Sequence, residues 1–353
     1  MSRPAIDVWV VEDSPVTQQY LVTALSQDPE LRVTAAFGTG EAALERLAAQ
    51  RPDVILMDII LPGMDGLEAT RRIMATDPVP IVVCTAGLAA DEVHTVVRAL
   101  DAGALAALRK PPGPAAPGAD AELATLRRTL KLMAEVKLVR RWSGGPSLGA
   151  VPRASAREGA ELVVIGASTG GPRALSTLLA GLPAAFPVPI LLVQHMTEGF
   201  IGGLVEWLGA SSGRPVSLAR EGERPSPGHV YVAPDGGHLR VGPRGELQVG
   251  GPRSESAGGH QPSVAALFRS VRERYDERVV GVLLTGMGTD GAAELAELAR
   301  AGAPTVVQDQ ASSVVFGMPG EAVRLGAARW VLPPDGIAEL LPRLVARQGV
   351  RSV

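Results

Sequence analysis

The sequence has few of the features that mark secreted, membrane-bound or nucleic-acid-binding proteins. Its 353 residues include one cysteine, Cys84, so no internal disulfide can form, and a thiol within an apolar run fits a reducing compartment. The formal net charge is −3, which leaves no excess of positive charge to attract nucleic acid or anionic lipid. No signal peptide is visible, and no apolar run could span a bilayer. We therefore expect a cytoplasmic two-domain protein, without nucleic-acid binding or direct membrane insertion.

Short apolar runs alternate with helical patterns through the first part of the chain. The runs IDVWVV, RVTAAF, DVILMD, PIVVCTA and ALAALRK are predicted as five strands, and their continuous apolar character suits a parallel sheet covered on both faces. This alternation predicts a doubly wound (βα)5 domain of the α/β class over residues 1–140. Residues 141–159 mix Gly, Pro, Ser and Ala without periodicity, and we interpret them as a flexible linker.

The same alternation resumes in the second part of the chain. The runs ELVVIGAS, PILLVQH, HVYVAP, VVGVLLTG and PTVVQD are strand candidates with helical patterns between them. HLRVGPRGELQVG has the pattern of a small inserted hairpin. Residues 160–350 are therefore predicted to form a three-layer αβα domain around a mostly parallel sheet.

Acidic residues and a lysine follow the predicted strands of the first domain. Glu12, Asp13 and Asp58 would meet at the carboxyl edge of the sheet, together with Thr85 and Lys110. Converging carboxylates repel one another unless a hard cation such as Mg²⁺ lies among them. A fixed lysine and a hydroxyl donor would suit phosphoryl transfer onto Asp58. The alternative is a set of solvated loop acids and a surface lysine.

The motifs VVEDS, ILMDIILPGMDG, CTA and LRKP resemble the fingerprint of response-regulator receiver domains. The resemblance implies that Asp58 accepts a phosphoryl group from a sensor histidine kinase. It also implies that Mg²⁺ binds to Glu12, Asp13 and Asp58, that Thr85 senses the phosphoryl group, and that Lys110 contacts it.

One position departs from the receiver pattern. Receivers often carry Phe or Tyr three residues before the lysine, as a switch that reorients, whereas this chain has Ala107. The departure concerns the aromatic switch and not phosphorylation itself.

A serine follows the first strand of the second domain in the pattern G-x-S-x-G. The glycines of Gly166–Gly170 allow a sharp turn that would leave Ser168 exposed above the sheet. Glycine-rich turns also bind dinucleotides, but that function expects an acid at the end of the next strand, which ends instead in His195. An imidazole can take a proton from serine, and Asp290, beyond another strand end, could orient it. We therefore predict a Ser-His-Asp site at one edge of the sheet.

Each of these residues also has a structural alternative. Ser168 and Asp290 could cap helices, and His195 could be a satisfied core histidine. The rival bases are His229, His238 and His260; the last two are predicted in a hairpin and a loop, which hold geometry less well than strand ends. No histidines are spaced as paired metal ligands, so no cofactor is expected in this second site.

The motifs IGASTGGP, VQHM, YVAPDGGHL, HQPSV, LLTGMGTDG and QDQASSVVFGMP resemble those of chemotaxis-type protein-glutamate methylesterases. The resemblance implies a triad of Ser168, His195 and Asp290, an oxyanion site formed partly by main chain at Met287, and a site-shaping role for Thr169. The departures from the family pattern are Thr197, Ala265 and the run Gln308-Asp309-Gln310.

The two resemblances together imply a phosphorylation-activated hydrolase. It would remove methyl groups from glutamyl methyl esters of methyl-accepting chemotaxis receptors and deamidate receptor glutamines, with a chemotaxis histidine kinase as phosphodonor. In the resting state we expect the receiver to cover the esterase site, and phosphorylation to shift the pair towards an open arrangement. The rivals are a response regulator with a nucleic-acid output, which the missing basic stripe opposes, an adaptor without chemistry, and a nucleotide-binding domain.

Overall fold

A computed structural model of the chain describes residues 4–87, 90–114, 116–136, 159–252 and 259–345. The chain divides into two compact units, Met1–Arg141 and Trp142–Val353. The predicted linker lies outside the described residues apart from Gly159, so its flexibility and the domain limits 1–140 and 160–350 stay predictions.

The first unit contains one parallel sheet with five strands in the order β2-β1-β3-β4-β5. The strands are β1 (Ile6–Val11), β2 (Leu31–Phe37), β3 (Val54–Asp58), β4 (Ile81–Thr85) and β5 (Ala106–Arg109). The helices are α1 (Pro15–Ser26), α2 (Gly40–Leu47), α3 (Gly66–Thr76), α4 (Ala90–Ala102) and α5 (Ala119–Ala134). The predicted (βα)5 domain is confirmed.

Local sequence explains where these elements begin. Every residue of β3 and β4 is buried, as expected for central strands of a sheet with helices on both faces. The side chains of Ser14, Thr39 and Asp65 accept hydrogen bonds from backbone N–H groups in the first turns of α1, α2 and α3. These caps satisfy amides that the helices themselves cannot pair.

The second unit contains a seven-stranded parallel sheet in the order β14-β13-β12-β6-β7-β9-β8. Its strands are β6 (Leu162–Ala167), β7 (Ile190–Gln194), β8 (Val216–Leu218), β9 (Val230–Val232), β12 (Val279–Leu283), β13 (Thr305–Gln308) and β14 (Trp330–Leu332). The helices are α6 (Gly171–Gly181), α7 (Ile201–Ser212), α8 (Val264–Tyr275), α9 (Ala292–Arg300), α10 (Met318–Arg324) and α11 (Pro334–Val345). The predicted αβα class is confirmed.

The predicted hairpin is present as an antiparallel pair, β10 (His238–Val241) and β11 (Leu247–Gly250). Leu239, Val241 and Leu247 belong to the same buried cluster as the apolar face of α8, so the hairpin covers part of the core. In the described part of the chain, no helix is both long and apolar enough to cross a membrane.

Candidate functional site

The candidate site of the second unit lies where three adjacent parallel strands end. Ser168 directly follows β6 and His195 directly follows β7, and Asp290 lies in the segment between β12 and α9. The strands are neighbours in the order β12-β6-β7. Since adjacent strands are about 4.8 Å apart, the sheet brings these three chain segments to one edge.

Ser168 is fixed by its backbone. Its N–H donates to the Thr285 carbonyl at 3.0 Å, and its carbonyl accepts from Gly171 N at 2.8 Å and Gln194 Nε2 at 2.8 Å. Gly170, with φ 78°, turns the chain into α6 through the left-handed region that disfavours other residues. The half-buried serine therefore lies beside a helix N-terminus, whose positive partial charge favours developing negative charge.

Gly286 packs directly against the serine. A Cβ atom built at Gly286 would lie 2.7 Å from Cβ of Ser168 and 2.4 Å from Sδ of Met318, both closer than real Cβ atoms approach other atoms. The close approach places the backbone around Met287 next to the candidate nucleophile. Glycine is required here for space.

Two main-chain amides are candidates for binding an oxyanion. Within the described residues, neither the N–H of Thr169 nor that of Met287 donates a hydrogen bond. Thr169 follows the serine, and its carbonyl accepts from Thr285 Oγ1 at 2.9 Å, which ties the two segments together. Free amides on both sides of a nucleophile are the donors that a tetrahedral oxyanion needs.

His195 contacts Asp290. Nε2 of the imidazole lies 2.9 Å from Oδ2 of the carboxylate, and both side chains are almost buried. Neither ring nitrogen has a well-aligned hydrogen-bond partner among the described residues, so the two side chains are in close contact without a linear hydrogen bond.

The structure brings the backbones of Ser168 and His195 together, but not their reacting atoms. The His195 N–H donates to the Ala167 carbonyl at 2.9 Å, one residue before the serine. Because both ring nitrogens lack a partner in the described chain, no hydrogen bond joins the imidazole to the hydroxyl. Such bonds are often long without substrate and tighten in the complex. Nε2 contacts the acid, which leaves Nδ1 as the candidate acceptor of the serine proton.

Asp290 is held in its charged form. Burial raises the pKa of its carboxyl, but the neighbouring His195 and the backbone amides of Val264 and Ala265 outweigh that effect and lower the pKa to about 2. The amides lie 2.8 and 3.1 Å from the carboxylate oxygens, and the Ser263 hydroxyl donates at 3.0 Å. The carboxylate is therefore available to orient and stabilise an imidazolium.

The three rival histidines occupy different places. His229 Nε2 lies 2.8 Å from Ser217 Oγ, and its ring stacks on Tyr231. The buried His238 has Nε2 3.0 Å from the Pro252 carbonyl. His260 instead stacks on His195, with ring centroids 4.3 Å apart and planes 10° from parallel. Sequence reasoning considered His260 as a competing base and missed that it covers the imidazole of His195.

The first unit gathers its predicted site around a lysine. Nζ of Lys110 lies 2.7 Å from Oδ2 of Asp58 and 2.8 Å from Oε2 of Glu12. The Asp58 contact has hydrogen-bond geometry, whereas Glu12 Oε2 has no aligned donor in the described chain, although its distance to the lysine is short. Asp58 also accepts from Ile60 N at 3.2 Å. Both carboxylates are buried.

Charges in this cluster perturb one another. Burial raises the pKa values of Glu12 and Asp58, and Lys110 opposes that rise. Burial lowers the pKa of Lys110, but its close contacts with the Asp58 and Glu12 carboxylates outweigh that effect and raise the pKa above its usual value. One lysine thus lies beside two buried carboxylates. Oxygens of Glu12, Asp13 and Asp58 all lie within 4.8 Å of one another. A set of carboxylate oxygens suits a hard divalent cation.

Thr85 is buried at the end of β4, and its hydroxyl donates to the Glu92 carboxylate. Glu92 also accepts from Gly87 N at 3.0 Å. Sequence reasoning missed Glu92, because no strand-end or motif signal marks it. Ala107 is buried on β5 opposite Val83, so no aromatic ring is available there to respond to Thr85.

Comparisons with known proteins cover both units. The sequence matches the family model of the response regulator receiver domain over residues 8–116 and that of the CheB methylesterase over residues 163–341. Protein-glutamate methylesterase/protein-glutamine glutaminase 4 of Geobacter metallireducens is 49% identical over 345 residues, 96% of this chain and 99% of that protein. The protein-glutamate methylesterase/protein-glutamine glutaminase of Nitrosospira multiformis is 49% identical over 350 residues, 98% of each chain.

A solved structure also aligns with about half of this chain. The Thermotoga maritima CheB methylesterase catalytic domain is 37% identical to the aligned part of this chain, with a TM-score of 0.49. The alignment covers 53% of this chain and 99% of that domain.

Proposed function

The chain belongs to the CheB methylesterase family, and on that premise we propose that it is a phosphorylation-activated protein-glutamate methylesterase and protein-glutamine glutaminase acting through Ser168, His195 and Asp290. Its substrates are glutamyl methyl esters and glutamines of methyl-accepting chemotaxis receptors, and it works in the cytoplasm. The observation that carries the proposal is the 2.9 Å contact between His195 and Asp290. It lies at the edge of the sheet where β6 ends and the Ser168 turn begins.

Ester hydrolysis follows from the roles of these side chains. Nδ1 of His195 takes the hydroxyl proton as Ser168 Oγ attacks the γ-carbonyl of the glutamyl ester. Amides of Thr169 and Met287 stabilise the oxyanion of the tetrahedral intermediate. The imidazolium returns its proton to the leaving methoxide, and methanol departs. Water, deprotonated by the same imidazole, then cleaves the acyl-enzyme to glutamate and restores the serine.

A glutamine side chain can follow the same route. Attack by Ser168 on the amide carbonyl gives the same acyl-enzyme, and the proton from His195 goes to the leaving nitrogen, which departs as ammonia. Asp290 stabilises the imidazolium in both reactions, and its low pKa keeps it charged at neutral pH. The site therefore needs no change of residues to act on ester or amide.

Asp58 is the proposed phosphorylation site of the first unit. Glu12, Asp13 and Asp58 would hold Mg²⁺, which would offset charge on a phosphoryl group. Lys110, whose Nζ is 2.7 Å from Oδ2 of Asp58, would contact that group, and Thr85 could sense it by leaving Glu92. The proposed phosphodonor is a chemotaxis histidine kinase, as the receiver family implies.

Replacing Asp58 with asparagine tests the regulation. An amide does not accept a phosphoryl group as a carboxylate does, so Asp58→Asn should lose stimulation by a phosphodonor. The measurement is volatile methanol released from methyl-labelled receptors, with and without phosphodonor. Asp53→Asn is the matched control, because the exposed Asp53 directly precedes the same strand and accepts from Asp7 N. If phosphodonor stimulated Asp58→Asn as strongly as Asp53→Asn, the assignment of Asp58 as the phosphorylation site would be wrong.

Replacing Gly286 with alanine tests the packing against the nucleophile. The added methyl group would overlap Ser168 Cβ and Met318 Sδ, so the hydroxyl must shift from its position beside the oxyanion amides. A misplacement of about 1 Å can cost roughly 100-fold in rate, and we expect a loss of that order in kcat/KM for methanol release.

Gly202→Ala is the control for Gly286→Ala. Gly202 lies in α7, and nothing lies within 4 Å of a Cβ built there. This change should leave activity as it is and slightly favour the helix. Wild-type kcat/KM in Gly286→Ala would show that the close approach at Ser168 has no bearing on catalysis.

A further inference from the structure

A cavity lies at the edge of the second unit's sheet that is remote from Ser168. It has a volume of about 690 Å³ and is lined by residues that precede β6, β7 and β9, among them Glu161 and Pro189. All three strands are parallel, so their amino ends share this edge and their carboxyl ends share the other. We call this space the amino-edge cavity.

Three arginines from three different segments line the amino-edge cavity. Arg224 precedes β9, Arg244 lies in the β10–β11 turn, and Arg274 lies in the last turn of α8. The acid in the lining, Glu161, is 2.8 Å from Arg278 and is thereby neutralised. Glu246 is 3.8 Å from Arg244, a separation that leaves the guanidinium able to bind elsewhere. The cavity therefore has a local excess of positive charge in a protein of formal net charge −3.

Arg274 carries an unsatisfied donor. Its Nε is buried and has no hydrogen-bond partner among the residues that the structure describes. Its Cζ lies 5.2 Å from the ring centroid of Tyr275, a contact that orients the guanidinium without accepting a hydrogen bond from Nε. Leaving a buried donor unpaired costs free energy, so this side chain is not held in place by a full set of hydrogen bonds within the described protein.

The rest of the lining is apolar. Prolines 187, 189, 225 and 227 and the side chains of Val188 and Val345 form much of the wall. A volume of this size accommodates a small organic ligand, and an apolar wall beside a few charged groups is the usual composition of such sites. The end of α8 at Tyr275 and the end of α11 at Val345 bring about half a negative charge each, which three guanidinium charges exceed.

We propose that the amino-edge cavity binds a phosphorylated small molecule, with its phosphate oxygens on Arg224, Arg244 and Arg274 and its organic part against the prolines and Tyr275. A planar guanidinium can pair two N–H donors with two phosphate oxygens. A phosphate group therefore matches a set of three arginines better than a single carboxylate does. The lining includes neither Ser168 nor Asp58, and binding there does not depend on either proposed reaction.

Calorimetric titration of the full-length protein tests the proposal, with pyrophosphate and adenosine triphosphate as probes and EDTA to remove divalent cations. Saturable binding of both is expected, with the nucleotide the tighter of the two because it adds an organic part. Arg274→Gln should weaken binding at least tenfold. Arg272→Gln, which removes the same charge from the same turn but from a residue paired with Glu297, should change it less than twofold.

Thermal unfolding checks that both variants fold, and saturating nucleotide should raise the melting temperature of wild type and Arg272→Gln but not of Arg274→Gln. Absence of saturable binding by both probes would overturn the proposal. So would equal weakening in the two variants, which would indicate non-specific charge attraction. Binding of an oligo-glutamate peptide that depends on Arg274, without binding of either phosphate probe, would replace it with a docking site for an acidic protein segment.

Discussion

Ser168→Ala should reduce methanol release from methyl-labelled receptors by about a millionfold, the scale seen when a catalytic serine is removed. The variant should fold, because the contacts that hold residue 168 are made by its backbone N–H and carbonyl rather than by the hydroxyl. Its loss of activity would therefore report the missing nucleophile. The ammonia released from receptor glutamines should fall in parallel, since both reactions need the same acyl-enzyme.

Ser176→Ala is the matched control, because Ser176 lies on α6, close to the candidate nucleophile in sequence, and its Oγ donates to Ser211 Oγ at 3.3 Å. Wild type and Ser176→Ala should react with a serine-directed phosphonylating probe, and Ser168→Ala should not. Full methanol release by Ser168→Ala would end the assignment of this residue as nucleophile.

Asp290→Asn should reduce kcat by about 10⁴-fold, the loss found when an amide replaces the acid of such a triad. The carboxylate oxygen 2.9 Å from His195 would stabilise the proposed imidazolium, and an amide provides no charge there. Oδ2 also accepts from the Val264 amide, and Oδ1 accepts from the Ala265 amide. Either orientation of an asparagine side chain therefore places its NH₂ against a backbone N–H. We therefore expect the variant to lose stability as well as rate.

The sign of the pH effect follows from the low pKa of Asp290. A carboxyl group with a folded-state pKa of about 2, below an unfolded value of about 3.9, contributes stability that is complete above the unfolded value. That contribution is lost as pH falls towards 2. Wild type should therefore lose more unfolding free energy than Asp290→Asn between about pH 5 and pH 2, measured by urea denaturation.

Ser263→Ala separates the charge from the surrounding hydrogen bonds. It removes the hydroxyl that donates to Asp290 at 3.0 Å and that also caps α8, but leaves the carboxylate in place. We expect a stability loss of about 1 kcal/mol with a much smaller loss of kcat than in Asp290→Asn. Equal kcat losses in the two variants would show that the charge itself is not what supports His195.

The strand-end residues could be predicted from the sequence because parallel sheets have a simple rule. Alternating apolar runs and helices fix which strands are parallel, and their carboxyl ends then collect Ser168, His195 and the Asp290 segment at one edge. The same rule placed Asp58 and Lys110 together, where they are 2.7 Å apart. The edge strands β8 and β14, each of three residues, were not predicted, because runs so short and so partly exposed carry little periodicity.

Contacts made by loops and by individual side chains could not be predicted from the sequence. The stacking of His260 on His195 depends on the path of a glycine-rich loop, which no periodic pattern specifies. The bond from Thr85 to Glu92 joins a strand end to a helix whose side chains could point in several directions. The missing hydrogen bond between Ser168 and His195 is likewise a matter of side-chain geometry that strand positions leave open.

Asp290 has a structural role besides its proposed catalytic one, and that role bears on how such proteins diverge. Its carboxylate satisfies the first amides of α8, and that helix packs its apolar face into the core of the second unit. A descendant that abandoned hydrolysis would lose stability by replacing this acid, whereas loss of the Ser168 hydroxyl would leave the backbone contacts of residue 168 in place. In inactive descendants the aspartate should accordingly outlast the serine, so retention of the acid alone is poor grounds for assigning enzymatic activity.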